Sequence, residues 1–490
     1  LTAWATPGTR GNVNDPARTT ERIIAIHFAA QLVLTLLLTA SSYVVPPWSG
    51  AYAEVLLGFR SRMPTGIPPT LLHLTTPSVI LLMVVNQALA ILAIVRSSLP
   101  VSRRLLVGGS LLLALIGVLS FPGGSHDLEL YHAHARMVQS GANPYLVSPL
   151  QAFGQALSKT MPWPEQLAPY GPLSIGVQAL LVGRVGDPWT AALALKLFYA
   201  LASVAFVWIM VSLPSIREAW KAAAAVTVGW SPLLILEFAG NGHADSLMGI
   251  LCALAVVAFV RGRGILPWLL LGLASLVKIE ALLFLPILAA ASPHDQRWSL
   301  RWIASPGITV TVVLGGYLFF GGPQNALPGL REEASKALRS VPQLAGYISG
   351  VPAAGTAWSL RIVFLAAYAV CAWTIARGRS ILAAAPLLYA IYLLLAKSFL
   401  QPWHGALLVY LLAVTRLYGR RAQLQDLIVG TWSISAVLGG YSYLIARRDL
   451  SPASQAASTA IMVAPVLLVL LGYWVLGLVR RGRERPCSPS

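Results

Sequence analysis

Long apolar runs separated by short polar or basic stretches dominate this chain from residue 23 onward. Runs of roughly 17–25 apolar residues have the length a helix needs to cross a bilayer. The pattern predicts spans over Ile23–Val45, Ser78–Val95, Leu105–Phe121, Trp189–Leu213, Ala222–Glu237, Asp245–Val260, Ile265–Ala291, Trp302–Phe320, Ala357–Ala376, Ile381–Lys397, Pro402–Val414, Leu424–Ile445 and Ser458–Val479. The expected fold is an all-α polytopic integral membrane protein of about 13 transmembrane helices. Two stretches break the count: Gly171–Val182 is apolar but short, and Ile265–Ala291 is long with Lys278 and Glu280 in its middle.

Charge placement resolves both. A net charge of +18 would suit a nucleic-acid binder, but the basic residues sit in short clusters between apolar runs, such as Arg103-Arg104, Arg261 with Arg263, and Arg480-Arg481. That is a topology signal, and nucleic acid is not an expected partner. If Gly171–Val182 only dips into the membrane and Ile265–Ala291 is two half-helices turning at Lys278–Glu280, these clusters share the cytoplasmic side. Arg447 and Arg448 alone then face outward. The division expected is a cytoplasmic segment 1–22, one transmembrane domain 23–479 with outer loops 122–170 and 321–356, and a basic cytoplasmic tail 480–490. The first run lacks a cleavage site after a short core and reads as an anchor helix. The three cysteines imply no disulfide framework.

The same topology gathers chemistry on the outer face. Asp127, Glu129, Glu237, Asp245, Glu280, His243, His404 and Lys278 all meet there. Ionisable groups beside hydrocarbon cost roughly 2.5–3.5 kcal/mol each, so acids grouped at one depth point to function. Asp127 to Ser140 contains no Pro or Gly and predicts a surface helix ending at Gly141, with Asp127, Tyr131 and His134 on one face. His132 and His134 are read as surface residues. Pro169-Tyr170-Gly171-Pro172 then returns the chain to the membrane.

An ordered set of motifs follows this frame: Gly-Ala-Asn-Pro-Tyr at 141–145, Tyr-Gly-Pro-Leu at 170–173, Gly-His-Ala-Asp at 242–245, Leu-Val-Lys at 276–278 and Gln-Pro-Trp-His at 401–404. Over roughly residues 100–415 the chain resembles the GT-C superfamily of multispanning glycosyltransferases, most closely the polyprenol-phosphate-mannose-dependent α-1,6-mannosyltransferases. Glu280 stands where that family is expected to carry Pro or an apolar residue, and His404 where it carries Tyr.

The resemblance implies transfer of a sugar, mannose first, from a polyprenyl-phosphate donor to a glycan or glycolipid acceptor at the outer face of the plasma membrane, with inversion. Asp127 would be the general base. Lys278, His243, Asp245, His404, Gln401 and Glu129 would bind the donor, with Lys278 first in line for the leaving phosphate. Its replacement by Met is expected to spare the fold. Tyr145, Tyr170 and Trp403 would contact the acceptor. Simpler roles stand beside these: Asp127 as a helix cap, His243 and Asp245 as caps of the next helix, Glu129 paired with Arg136, Lys278 snorkelling, and the aromatics as an interfacial belt. No metal-ligand set is visible and no cofactor is demanded, although a divalent cation is compatible with the acids. Another polyprenyl-linked sugar such as arabinose or glucose, a secondary transporter, or a non-catalytic membrane subunit are the competing functions.

Overall fold

The computed structural model describes residues 16–43, 69–122, 126–154, 163–292, 300–336, 340–419, 427–435 and 452–483. Helices carry most of them, and no strand is present among the described residues. In chain order the main helices are α1 (Pro16–Ser42), α2 (Pro69–Ser97), α3 (Arg103–Val118), α4 (Asp127–Gln139), α5 (Pro172–Val182), α6 (Pro188–Ser212), α7 (Glu218–Gly229), α8 (Asp245–Val260), α9 (Leu266–Val277), α10 (Leu300–Leu318), α11 (Pro323–Ser335), α12 (Val341–Ser349), α13 (Ala353–Ala376), α14 (Ile381–Leu395), α15 (Ala406–Leu417) and α16 (Pro452–Arg483). Most of the predicted span Leu424–Ile445 lies outside the described residues, as do 1–15 and the end of the basic tail.

Five stretches are long and apolar enough to cross a membrane: Thr19–Ser42, Thr76–Ser97, Pro188–Ser212, Glu218–Gly240 and Ala354–Ala376. Four of them expose apolar flanks, at Leu36, Leu82, Trp208 and Ile362, while Glu218–Gly240 is buried within the protein. Such surfaces are stable against acyl chains and not against water. Some polar groups inside the bundle are tied to one another across helices. Tyr410 on α15 bonds Ser203 on α6 at 2.7 Å and Ser246 on α8 at 2.9 Å, joining three helices by one hydroxyl. The chain is an all-α membrane protein.

Several elements depart from straight spans, and each break has a local cause. The predicted span Ala222–Glu237 is interrupted, because α7 ends at Gly229 and Pro232, which has no N–H to donate, restarts the helix. It then widens into a π-helical turn over Ile235–Gly240, a feature frequent at functional sites. The long run Ile265–Ala291 is also broken. Lys278 is extended, with φ −152° and ψ 126°, between α9 and a tight helical turn over Ile279–Leu283. Beyond α10 the chain bends by 93° into α11. Gly321 and Gly322 make that corner with φ of +86° and +108°, which side chains with a Cβ rarely adopt.

Helix α4 closes as its sequence predicts. Gly141 has φ +82°, and the N–H groups of Gly141 and Ala142 bond the carbonyls of Val138 at 3.1 Å and Met137 at 2.8 Å. It does not lie on an open surface, however. It packs against α5, α6 and the short helix Pro149–Phe153, so His132 and His134 are buried, contrary to the expectation that both face solvent. His132 Nε2 sits 2.7 Å from the carbonyl oxygen of Val185. A second layer of protein covers the face that the sequence pattern assigns to water.

Candidate active site

Asp127 opens α4, with His126 in the N-cap position. One carboxylate oxygen, Oδ2, gathers three groups: the Tyr170 hydroxyl donates at 2.9 Å, His243 Nδ1 lies at 3.2 Å, and the Tyr131 hydroxyl is at 3.4 Å. Tyr131 sits one turn along the same helix, the spacing that the sequence predicts. Its hydroxyl also accepts from the Ala244 N–H at 3.3 Å, which fastens the 242–244 turn to α4. Gly242 is required there, since at φ +69° its Cβ would stand 2.6 Å from Leu128 Cδ2.

His243 is fully buried and stacked on Trp403, ring centroids 3.7 Å apart. Its Nε2 lies 3.4 Å from Glu237 Oε2, which the π-helical turn aims inward and Asn241 holds at 3.1 Å. Burial pushes the imidazole pKa down, but hydrogen bonds and charge from Asp127 and Glu237 outweigh it and raise the value to about 9. Burial pushes Asp127 up, yet His243, then Tyr170 and Lys278, hold its carboxyl below the ordinary value. The ring is therefore an imidazolium between two carboxylates.

The sign of the pH effect follows. The raised His243 contributes stability that is complete below the unfolded value of about 6.5 and vanishes as pH rises through about 9. The depressed Asp127 contributes above its unfolded value of about 3.9 and loses that contribution as pH falls through its lower folded value. Melting temperature is thus expected to fall between pH 7 and 9.5, and a His243→Gln variant to flatten that slope. An equally steep slope in the variant would assign the effect to other groups.

A second cluster faces Asp127 across a cavity of about 400 Å³. Lys278 Nζ donates to Asp245 Oδ1 at 2.8 Å, a pair whose side chains are 11% and 1% exposed. Lys397 pairs with Glu280, to which Tyr392 also donates. His404 Nδ1 accepts the Gln401 N–H at 3.0 Å, leaving Nε2 to carry the ring proton. Burial, with the charges of Lys397, Lys278 and His243, drives the His404 pKa well below its ordinary value, so the ring is neutral.

Asp127, Tyr170, Lys278, Gln401, Trp403 and His404 all line this cavity. His243 and Asp245 stand directly behind it, each bonded to a lining residue. Tyr145 lies farther back: its hydroxyl donates to the Tyr170 carbonyl at 2.7 Å, and its ring packs with Tyr317 and Phe320. Asn143 Nδ2 bonds the Phe320 carbonyl at 2.9 Å, so the Asn-Pro-Tyr motif anchors the loop to the end of α10. Glu129 is buried, 3.7 Å from His126, while Arg136 lies over the Phe153 ring. Lys397 was not among the sequence candidates. The charge count by which the sequence groups Lys278 with the acids groups the Lys397–His404 turn with them as well, and was the available signal.

One glycine couples the two sides. The Gly171 N–H donates to the Val277 carbonyl at 2.9 Å, and a Cβ at Gly171 would fall 2.2 Å from the carbonyl oxygen of Leu276. Backbone cannot yield as a flexible side chain does. Gly171→Ala is expected to cost about 1–3 kcal/mol or more and to move Tyr170 away from the Lys278 break. Thermal unfolding in detergent measures it, and an unchanged midpoint would show that the loop is free to shift.

Among the described residues no group of three or more His, Cys, Asp or Glu has the arrangement of a metal site. What the arrangement offers is a hydrogen-bonded carboxylate facing a cavity whose far wall holds ion-paired lysines and hydrogen-bond donors.

Residues 32–293 match the family described as Alpha-(1->6)-mannopyranosyltransferase, N-terminal domain. The chain is 30% identical over 173 residues to alpha-(1->6)-mannopyranosyltransferase A of Mycobacterium tuberculosis, a stretch covering 35% of this chain and 34% of that protein. It is 25% identical over 179 residues to the protein of the same name in Corynebacterium glutamicum, covering 36% of each. The alignments thus span about a third of those relatives' own length. The family match takes in the Asp127, Tyr170, His243 and Lys278 segments together, and the chain belongs to the alpha-(1->6)-mannopyranosyltransferase family.

Proposed function

We propose that this chain is a membrane mannosyltransferase that moves mannose from a polyprenyl-phosphate donor to a glycan or glycolipid acceptor on the outer face of the plasma membrane. The observation carrying this reading is Asp127 at the wall of the cavity, with Lys278 and His404 lining the same space. A single displacement with inversion needs one carboxylate beside the attacking hydroxyl and positive or donating groups beside the leaving phosphate.

Asp127 accepts the proton of the acceptor hydroxyl as that oxygen attacks the anomeric carbon. The Tyr170 and His243 contacts fix the carboxylate's direction, and His243 stays charged through Glu237. As the glycosidic C–O bond breaks, charge grows on the lipid phosphate, which the Lys278, Lys397 and His404 side of the cavity receives. Trp403, held flat against His243, offers its remaining exposed edge to a sugar. A β-linked donor then yields an α-linked product. His404, in place of the expected Tyr, presents a neutral N–H donor, consistent with stabilising an oxyanion.

The test is direct. Purified full chain in lipid nanodiscs, given polyprenyl-phosphate [¹⁴C]mannose and an α-1,6-linked mannan, is expected to form labelled glycan. Polyprenyl-phosphate arabinose and glucose are run alongside, and transfer from one of those instead would replace the mannose assignment. For the outer face, a Gln324→Cys variant in whole cells is expected to react with an impermeant maleimide, and an Arg379→Cys variant is not, in a background with Cys371 and Cys487 changed to Ser. The reverse pattern would place the site on the cytoplasmic side and remove the lipid-phosphate donor.

A further inference from the structure

The cations around the cavity are not equivalent. Lys278 is matched by Asp245, Lys397 by Glu280, and Lys336 by Glu333 at 3.1 Å. His243 is shared by Asp127 and Glu237. After this pairing one lining cation is left among the described residues, Arg361. Among the described residues no carboxylate lies within ion-pair distance of it. Its contacts include a long bond from Nη2 to the Ala334 carbonyl at 3.4 Å and the Trp358 ring at 5.4 Å, and its charge acts on the Tyr392 hydroxyl at the same cavity.

Its position is as telling as its charge. Arg361 belongs to α13, whose apolar stretch Ala354–Ala376 is only 11% buried in protein. Trp358, Ile362 and Leu365 around it are 66%, 64% and 62% exposed, a surface for acyl chains. Arg361 itself is half-buried and lines the cavity, opposite Leu330 and Ala334 of α11. It sits eight residues into α13, about 12 Å along the helix axis at 1.5 Å per residue. A guanidinium there costs free energy unless it reaches water or an anion.

We propose that Arg361 is the docking cation for the phosphate of a lipid phosphate that reaches the cavity sideways from the bilayer, between α11 and α13. The inference rests on the transfer reading above only for the lipid being the sugar donor. Guanidinium suits this task, because its planar fork donates two hydrogen bonds to one phosphate. The paired lysines cannot supply a net charge without first releasing a buried carboxylate. Arg361 supplies it at no such cost, at the point where a lipid headgroup first meets the cavity. The isoprenoid chain then lies along the exposed Trp358–Leu365 face while the headgroup turns inward toward Lys397 and Lys278.

The test reads binding without turnover. Full chain in neutral-lipid nanodiscs is titrated with farnesyl phosphate and followed by tryptophan fluorescence, with farnesol as the uncharged control. Arg361→Gln is expected to raise the Kd for farnesyl phosphate about 10-fold or more and to leave farnesol unchanged. Arg361→Lys is expected to recover part of the loss. Lys336→Gln, whose charge Glu333 already meets, is expected to shift the Kd by less than about threefold. Matched melting midpoints keep the comparison free of misfolding. An unchanged Kd in Arg361→Gln would show that the residue only snorkels, and would overturn the proposal. Equal competition by inorganic phosphate, or by phosphatidylglycerol in the disc, would mark a general anion site and overturn it too. Because no acceptor is present, failure here appears in the Kd, whereas failure of the transfer reading appears only in the product assay.

Discussion

An Asp127→Asn variant is expected to fold and to bind lipid phosphate as the parent does, but to transfer sugar about 10²–10⁴-fold more slowly, the usual cost of losing a general base. The amide keeps the shape of the side chain and can still accept from the Tyr170 hydroxyl through its oxygen, so the contact at 2.9 Å survives in form. What disappears is the site for the acceptor proton. His243 loses one of its two carboxylates but keeps Glu237, so the local charge balance changes without collapsing. Single-turnover kinetics in nanodiscs, with stability followed in parallel, separates the two roles. If the variant turns over near the parent rate, Asp127 serves only to join α4 to the 242–244 turn, and the base must be sought elsewhere on the cavity wall.

In the proposed reaction, the network around Asp127 would let a carboxylate held below its ordinary pKa serve as a base. Three groups crowd Oδ2, and they fix the direction in which the carboxylate faces the cavity. An inverting displacement builds positive charge on the sugar and acidifies the attacking hydroxyl late in the reaction, so orientation matters more than a high resting affinity for protons. The His243 imidazolium holds the carboxylate ionised, and Glu237 keeps the imidazolium charged. The π-helical turn that delivers Glu237 therefore acts on Asp127 through His243.

Much of this site was legible in the sequence, through two kinds of signal. Charge in an apolar chain is expensive, so the acids and Lys278 stand out as candidates by their cost alone. Helix breakers mark the loop: Gly141 ends α4 in the expected place, and Lys278 does sit at a break between helices. Pairing was not legible. Nothing local says that Lys278 meets Asp245, 33 positions away, or that Lys397 meets Glu280, 117 positions away, because those partners are set by how helices pack. Burial of α4 was missed for a related reason. A periodic pattern reports which face of a helix is apolar, but His132 and His134 are covered by a second layer whose presence depends on the whole fold. Tyr145 reads as an acceptor contact and Asn143-Pro144 and Gly171 as breakers, and the structure adds a role the sequence does not show: the Asn143 amide, the Tyr145 hydroxyl and the Gly171 N–H bond the carbonyls of Phe320, Tyr170 and Val277 and fasten the loop.

Lys278→Met is expected to be costly to the fold, in contrast to what the sequence alone suggests. The Lys278 ammonium meets Asp245 at 2.8 Å, and the Asp245 side chain is 1% exposed with Oδ2 buried and lacking a hydrogen-bond donor. Removing one partner of a buried pair strands the other charge, which typically costs about 3–5 kcal/mol. Replacing both leaves no stranded charge, so Lys278→Met with Asp245→Asn is expected to recover most of that loss. Thermal unfolding in nanodiscs checks the order: single variant lowest, double variant near the parent. A single variant as stable as the parent would mean that Asp245 is already met by water or another partner, and the buried pair would have to be abandoned. The double variant carries the sharper functional question. It restores the fold without restoring the cation, so in the proposed reaction its transfer rate would isolate what the Lys278 charge contributes to the leaving phosphate beyond its part in the fold.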